Sequence, residues 1–191
     1  MSISRPFTRV VLVPLKRFGD AKSRLREALT DKEVAELTMR LAAGVLEAAR
    51  PLLTVVVCDD DDVAGFARRH GAEVFRSRIP GLNGSVDDAY RSLVDYDQVI
   101  IVHGDLRTPE GIGRFDPGEG VTMVTDHRQE GTNVLALPGG LDFHFSYGPE
   151  SLRQHEREAT RLGLGCTIIT DSPWRFDVDE LDDLSGGPDG I

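Results

Sequence analysis

Cysteines and long apolar runs are both scarce in this chain of 191 residues. Its two cysteines, Cys58 and Cys166, fit neither a metal-binding spacing nor a disulfide framework. Each lies in an apolar stretch typical of a strand, so both are predicted to be buried, reduced thiols. No run approaches the ~20 apolar residues of a membrane span, and run 10–15 leads at once into Lys16 and Arg17, unlike a signal peptide. We therefore expect a cytoplasmic protein with no membrane partner.

Basic residues are in the minority, with 22 Lys and Arg against 32 Asp and Glu, for a net charge of −10. Such a chain would repel the phosphates of a nucleic acid, so no nucleic-acid partner is expected. A nucleotide ligand stays compatible with this charge, because a divalent cation can bridge carboxylates and phosphates. The length suits one domain, which we assign to residues 1–184, and residues 185–191 (SGGPDGI) are interpreted as a loose tail.

Apolar runs and helical patterns alternate along the first half of the chain. A capping box formed by Thr30 and Glu33 precedes a helical pattern that ends before Pro51. Further helices are predicted over 63–70 and, with Ser85 as N-cap, over 86–94. Strands are predicted over 10–13, 53–58, 73–75 and 98–102. This alternation indicates a parallel sheet with helices on both faces.

The pattern changes in the second half of the chain. Closely spaced strands over 121–125 and 133–137 suggest an antiparallel excursion or a sheet edge. A helix over 150–162, with Pro149 in its first position, precedes a strand over 166–170. An extended piece over 176–178 and a short helix over 180–184 close the chain. The sequence thus predicts a three-layer α/β domain with a mixed, mainly parallel sheet, whose ligands bind beyond the carboxyl ends of the strands.

A basic loop follows the first strand, with four cations between positions 16 and 24. Polyphosphate binding requires cations, a flexible glycine and backbone N–H groups that can point at oxygen atoms. Lys16, Lys22 and Arg24 are therefore candidate phosphate contacts, although a solvated basic loop is the alternative. The loop is not a Walker motif.

Three acidic positions suit a metal ion. Asp105 follows the strand 98–102, and Asp177 and Asp179 form a D-x-D pair whose side chains point the same way in extended backbone. Mg²⁺ prefers such hard oxygen ligands. Taken alone, each position could equally cap a turn or a helix. The acidic run 59–62 is interpreted as capping charge at a helix N-terminus.

The segment V-P-L-K-x₅-K-S-R-L resembles the opening signature of the guanylyltransferases of coenzyme F-420 biosynthesis. These enzymes join GTP to 2-phospho-L-lactate, phosphoenolpyruvate or a related acid such as 3-phosphoglycerate. The resemblance implies a Rossmann-like fold of the glycosyltransferase-A type and catalytic Mg²⁺ on Asp105, Asp177 and Asp179. It also implies catalytic roles for Lys16, Lys22, Arg24 and Asp105, and nucleotide contacts from Pro14, Leu15, Lys16, Lys22, Arg24, Asn83 and Gly104. The segment around Asn83 can also be interpreted structurally, as a turn that starts a helix. This interpretation is compatible with a nucleotide contact from Asn83.

Two further segments resemble acceptor-binding motifs of that family. Residues 131–133 match G-T-N, and 147–155 are similar to F-G-x-x-S-x-x-x-H. The resemblance implies that Thr132, Asn133, Gly148 and Ser151 bind the acceptor, near a helix N-terminus with free N–H groups. One departure lies around Asp105, where His103 precedes the motif and Arg107 stands in place of the usual proline.

The reaction that the resemblance implies is attack of the acceptor phosphate on the α-phosphorus of GTP. Alternatives are a nucleotidyltransferase with another acceptor or base, a catalytically silent nucleotide-binding regulator, and a sugar transferase of the same broad fold. The sequence is compatible with a homodimer, and the resemblance implies that the product passes to a downstream transferase.

Overall fold

The computed structural model describes residues 7–18, 23–179 and 183, without the side chains of residues 23 and 24. The predicted helix over 180–184 and the predicted tail therefore lie almost wholly outside the described residues, and the domain boundary at 184 stays a prediction.

One seven-stranded sheet organises the described residues, in the order β3-β2-β1-β4-β6-β5-β7. Six strands run in one direction, because β6 is antiparallel to both of its neighbours while the remaining pairs are parallel. The sheet is therefore mixed and mainly parallel, as predicted. The strands are β1 (Arg9–Pro14), β2 (Leu53–Cys58), β3 (Glu73–Arg76), β4 (Gln98–Val102), β5 (Val121–Thr125), β6 (Thr132–Pro138) and β7 (Cys166–Ile169).

Helices cover both faces of the sheet, and the apolar core accordingly has two large layers. Alternate side chains of β1 divide between these layers: Val11 and Val13 pack in one, and Val10 and Leu12 in the other. Two helices, α1 (Asp31–Ala48) and α2 (Asp61–Arg69), pack in the first layer. The second contains α3 (Leu82–Arg91) and α4 (Ser151–Arg161). No described helix is both long and apolar enough to cross a membrane.

Local sequence signals fix the starts of α1 and α2. Thr30 and Glu33 form the predicted capping box, in which each side chain accepts a hydrogen bond from the other residue's backbone N–H. Asp60, within the acidic run 59–62, caps α2 by accepting from the N–H groups of Asp62 and Val63. The capping interpretation of that run is confirmed at Asp60.

Several local predictions are wrong. Ser85 is not an N-cap, because α3 already begins at Leu82 and Gly81 occupies the cap. Pro149 lies before α4, whose N-cap is Glu150 in the left-handed conformation. Strand β6 is interior, so the antiparallel excursion is confirmed and the edge alternative is wrong. Cys58 is buried as predicted, whereas Cys166 is exposed because it opens the edge strand β7.

Strand direction brings one set of loops to the same edge of the sheet. The parallel strands β1, β4 and β5 all end at this edge, and the antiparallel strand β6 begins there. The segments beyond Pro14, Val102 and Thr125 therefore lie near the start of β6 at Thr132. A backbone hydrogen bond of 3.0 Å from His103 N to Asn133 O ties two of these segments together.

Candidate active site

A cleft of about 700 Å³ opens at this edge of the sheet. Eleven of the fourteen candidate site residues line it: Pro14, Leu15, Lys16, Gly104, Asp105, Thr132, Asn133, Gly148, Ser151, Asp177 and Asp179. The other three are Asn83, which lies next to the cleft, and Lys22 and the side chain of Arg24, which fall outside the described residues. The candidates therefore converge although they are far apart in the sequence.

The three aspartates come together through a short piece of antiparallel pairing outside the main sheet. Leu106 and Asp177 form an isolated bridge. Two backbone hydrogen bonds flank this bridge, from Arg107 N to Phe176 O at 2.8 Å and from Val178 N to Asp105 O at 3.1 Å. The D-x-D segment is thus held alongside the loop that follows β4. Asp105, Asp177 and Asp179 each offer one oxygen atom, and these three atoms all lie within 4.8 Å of one another.

The electrostatics of this cluster favour a cation. The pKa of Asp177 is raised above its ordinary value, first by burial and then by repulsion from Asp105 and Asp179. A hydrogen bond from Asn133 Nδ2 to Asp177 Oδ1, at 3.4 Å, opposes the increase only in part. A hard divalent cation with oxygen ligands would relieve the repulsion, so these residues fit a metal ion of the Mg²⁺ type.

One side of the cleft is formed by the ends of β1 and β4. Leu15 continues β1 by one hydrogen bond, from its N to Val57 O at 3.0 Å, which places Lys16 at the mouth of the cleft. Gly104 passes so close to this segment that a Cβ atom there would overlap the side chain of Leu15. Glycine therefore allows the two loops to approach each other. Lys16 is an exposed cation that lines this cleft.

Asn83 lies next to the cleft and acts through Tyr147. Its Oδ1 accepts from Tyr147 N at 2.6 Å, and its Nδ2 donates to Tyr147 O at 3.1 Å. Both ends of the amide are therefore engaged in holding the loop before α4. The contact of Asn83 with base or ribose stays a prediction, while its observed contacts assign it a positioning role.

The acceptor-side candidates form a buried polar chain. His155 Nε2 accepts from Ser146 N at 3.0 Å, so the neutral ring carries its proton on Nδ1 and donates it to Thr132 Oγ1 at 3.1 Å. Ser151 Oγ donates to the same hydroxyl at 3.4 Å. Burial, with a smaller contribution from His103, lowers the pKa of His155 to about 4. A neutral histidine thus fixes the positions of the two candidate hydroxyls, a role that its spacing from Ser151 did not predict.

The start of α4 differs from the expected anion site. Ser151 N donates to Gly148 O, and Leu152 N donates to Glu130 O. The prediction of free N–H groups at this helix start is therefore wrong for these two residues. Their hydrogen bonds instead fix the loop that carries Gly148 over the cleft.

Sequence reasoning missed other residues that line the cleft, among them Thr38, Leu82, Asp126 and Tyr147. Asp126 could have been found, because it directly follows β5 at the ligand-binding edge. Thr38 and Leu82 lie within helices and carry no comparable signal. Tyr147 lies in the segment compared with the acceptor-binding motif, but its side chain was given no role there.

Known proteins support the same interpretation. The family model described as "Guanylyl transferase CofC like" matches residues 9–186. A phosphoenolpyruvate guanylyltransferase of Chloroflexus aggregans is 30% identical over 189 residues, covering 91% of this chain and 94% of its own. A 2-phospho-L-lactate guanylyltransferase of Methanocaldococcus fervens is 26% identical over 180 residues, covering 91% and 82%.

Among solved structures, that of a 4-diphosphocytidyl-2C-methyl-D-erythritol synthase superposes with a TM-score of 0.63. It covers 95% of this chain and 96% of its own at 13% identity, which supports the fold alone. The expected nucleotidyltransferase fold and the resemblance noted in the sequence are both confirmed. The chain is a nucleotidyltransferase that belongs to the guanylyl transferase CofC-like family.

Proposed function

We propose that this protein transfers GMP from GTP to a small phosphorylated carboxylic acid and releases pyrophosphate, as a step of coenzyme F-420 biosynthesis. The acid is phosphoenolpyruvate, 2-phospho-L-lactate or 3-phosphoglycerate. The observation that carries the proposal is the convergence of three carboxylates, a lysine and a buried hydroxyl pair in one cleft of a family member. This arrangement suits two anionic substrates that meet at one cation.

The chemistry requires no general base. A phosphate monoester has a second pKa near ~6, so at neutral pH the acceptor is already a dianionic nucleophile. One of its oxygens attacks the α-phosphorus of GTP, and the bond to the bridging oxygen of pyrophosphate breaks. The main obstacle is repulsion between the two anions. Catalysis then consists of holding the substrates in line and neutralising their charge.

Asp105, Asp177 and Asp179 would hold Mg²⁺, which would neutralise phosphate charge and align the reacting groups. Lys16 would contact the polyphosphate at the mouth of the cleft, and Lys22 and Arg24 are proposed to act with it. The side of the cleft that binds the nucleotide would be formed by Pro14, Leu15 and Gly104.

The acceptor would lie on the other side of the cleft. Thr132, whose Oγ1 accepts from both His155 and Ser151, would donate its own proton to the carboxylate or phosphate. Ser151 would bind there by turning its proton from Thr132 to the acceptor. Asn133 would connect the acceptor side of the cleft to the acidic cluster, because its amide also contacts Asp177. The backbone of Gly148 would provide a further contact on the acceptor side of the cleft.

Three further proposals rest on the family and on the sequence rather than on contacts within the cleft. We propose that the protein works in the cytoplasm and that it forms a homodimer. The mixed diphosphate product would pass to a downstream transferase.

A matrix of nucleotides against acids tests the proposal. Pyrophosphate release is measured with GTP, ATP, CTP or UTP, each with Mg²⁺ and one of the three acids. We expect release with GTP and one acid, and a loss on the order of 10²-fold or more in Asp105→Asn. Asp62→Asn serves as the control, because Asp62 is an exposed carboxylate in the first turn of α2. No release with any pair would contradict the proposal.

The loop at 103–109 favours one second candidate, a transferase of the same fold with a different acceptor or base. Release only with another nucleotide, or only with an acid outside the three, would support that candidate. Thermal stabilisation by GTP and Mg²⁺ without any pyrophosphate release would instead support a silent nucleotide-binding regulator.

A further inference from the structure

A second cavity lies outside the active-site cleft, between the C-terminal half of α1 and the loop that follows β4. Its volume of about 620 Å³ suits a small molecule. None of the described residues that line it also lines the cleft. We call it the arginine cavity, because four arginines line it: Arg40, Arg50, Arg107 and Arg114.

The charge of the arginine cavity is opposite in sign to that of the whole protein. Two acidic residues, Glu47 and Glu110, line it beside the four arginines, so the formal charges leave an excess of two positive charges. The complete chain has a net charge of −10. A concave site of positive charge on such a protein attracts anions locally.

Two of the four arginines are available to a ligand. Arg40 and Arg114 have exposed side chains, and neither forms a hydrogen bond or an ion pair through its side chain within the described part of the chain. Arg50 differs, because its Nε lies 3.5 Å from Glu47 Oε2 and its Nη2 donates to His70 O at 3.3 Å. The guanidinium groups of Arg40 and Arg114 therefore offer donors that the protein does not use.

This arrangement favours a phosphate group over other anions. A guanidinium group can donate two parallel hydrogen bonds to a phosphate, which gives both strength and orientation. A phosphate monoester carries a charge of about −1.5 to −2 at neutral pH. That charge matches the excess of two positive charges in the cavity, whereas a single carboxylate would neutralise only half of it.

The wall of the cavity is held firmly in place. Gly113 passes so close to the end of α1 that a Cβ atom there would overlap the backbone carbonyl groups of Ala49 and Arg50. Trp174 Nε1 donates to Glu110 O at 3.1 Å and fixes the same loop from another side. The cavity is thus preorganised, which lowers the entropy lost when a ligand binds.

The arginine cavity and the cleft are separate but adjacent along the chain. Leu106 and Arg107 line the cavity, and they directly follow Asp105, which lines the cleft. The backbone N–H of Arg107 also donates to Phe176 O, which helps to hold the D-x-D segment. A ligand in the cavity would therefore lie against the loop that carries part of the acidic cluster.

We propose that the arginine cavity binds a phosphate-bearing small molecule through Arg40 and Arg114. The site is additional to the active-site cleft, and the inference does not depend on the proposed transfer of GMP. Its test accordingly measures binding and not activity.

Isothermal titration calorimetry in EDTA at constant ionic strength provides the test. The probes are inorganic phosphate, pyrophosphate and 3-phosphoglycerate, and the tightest of them shows whether a free phosphate, a diphosphate or a phosphorylated organic acid is preferred. Without a metal ion the three carboxylates of the cleft repel anions, so binding there is disfavoured. We expect one equivalent of at least one probe to bind.

Substitutions locate this binding. The double variant Arg40→Gln/Arg114→Gln should raise Kd about tenfold or more, and each single variant about threefold or more. The control Arg68→Gln/Arg157→Gln changes the net charge equally at exposed arginines of α2 and α4, outside the cavity, and should change Kd by less than about threefold. Lys16→Gln, in the cleft, should have an equally small effect.

Other results overturn the inference. If no probe binds in EDTA, the cavity is a solvated basic surface. An equal loss in the double variant and in the Arg68→Gln/Arg157→Gln control would mean that only the net charge of the protein attracts the probe. Binding that Lys16→Gln abolishes, or that the double variant retains in full, would place the probe elsewhere on the protein.

Discussion

Replacing Asp177 with asparagine should stabilise the metal-free protein and abolish its activity. In the native structure this carboxyl group is partly buried beside Asp105 and Asp179, and its pKa is raised. Asparagine has nearly the same shape, can still accept from Asn133, and removes one charge from the cluster. The substitution therefore separates the stability of the fold from the function of the site.

The distances set the size of the effect. The carboxylate oxygen atoms lie within 4.8 Å of one another. At that separation Coulomb's law gives a repulsion of about 1 kcal/mol per pair in water and about 3 kcal/mol at an effective dielectric constant of ~20. Since Asp179 is exposed and screened, we expect a net gain of about 1–3 kcal/mol at pH 8. For a chain of this size, that gain corresponds to an increase of about 2–10 °C in melting temperature.

The gain should depend on pH with a definite sign. Because the pKa of Asp177 is raised, the native state keeps a proton that the unfolded chain has already lost. The native state thus binds more protons, and wild-type stability falls as pH rises through this interval. The advantage of Asp177→Asn should therefore grow between about pH 5 and about pH 8.

Differential scanning fluorimetry in EDTA measures the gain, with Asp62→Asn as an exposed control. Adding Mg²⁺ should then stabilise the wild type at pH 8 and have little effect on Asp177→Asn. If the substitution instead lowers the melting temperature without metal, the carboxyl group stabilises the fold, and the account of a repulsive cluster awaiting a cation is refuted.

Two further predictions concern the acceptor side. Relative to His155→Gln, the wild type should lose about 1–3 kcal/mol of stability as pH drops from 6.5 towards 4, because the unfolded chain protonates His155 while burial keeps the native ring neutral. Urea titrations of the two proteins measure this difference, in which the opposite contribution of Asp177 cancels. Glu158, whose pKa is lowered from 4.5 to about 2, loses its own contribution as pH falls between these two values. Asn83→Ala should cost about 1–3 kcal/mol and raise KM for the acid more than for GTP, because the backbone of Tyr147 loses two hydrogen bonds; equal changes in both KM values would contradict its positioning role.

Much of the fold could be predicted, because buried parallel strands and capped helices leave local signals. The run that became β4 is buried at every position, and the capping box at Thr30 marks the start of α1. Local signals do not reveal which strand a buried run will pair with, so the interior position of β6 was not predicted. Cys166 was misplaced for the same reason, since an apolar run on an edge strand looks like one at the centre.

The acidic cluster could be predicted because strand ends at the ligand-binding edge are readable, and a D-x-D pair in extended backbone shares one face. The tertiary hydrogen bonds among the candidate acceptor-binding residues could not be predicted. The side chain of Asn83 is turned to the Tyr147 backbone, and α3 starts at Leu82 rather than after Ser85. Neither segment contains a local sequence pattern that predicts the contact between them.

The most direct test of the central claim is ³¹P nuclear magnetic resonance of a reaction containing the protein, GTP, Mg²⁺ and the preferred acid. The account predicts equal amounts of pyrophosphate and of a mixed diphosphate, whose two coupled phosphorus signals show that the acid phosphate is joined to the α-phosphate of GMP. Pyrophosphate with free GMP, or no change in GTP, would contradict transfer to a phosphorylated acid.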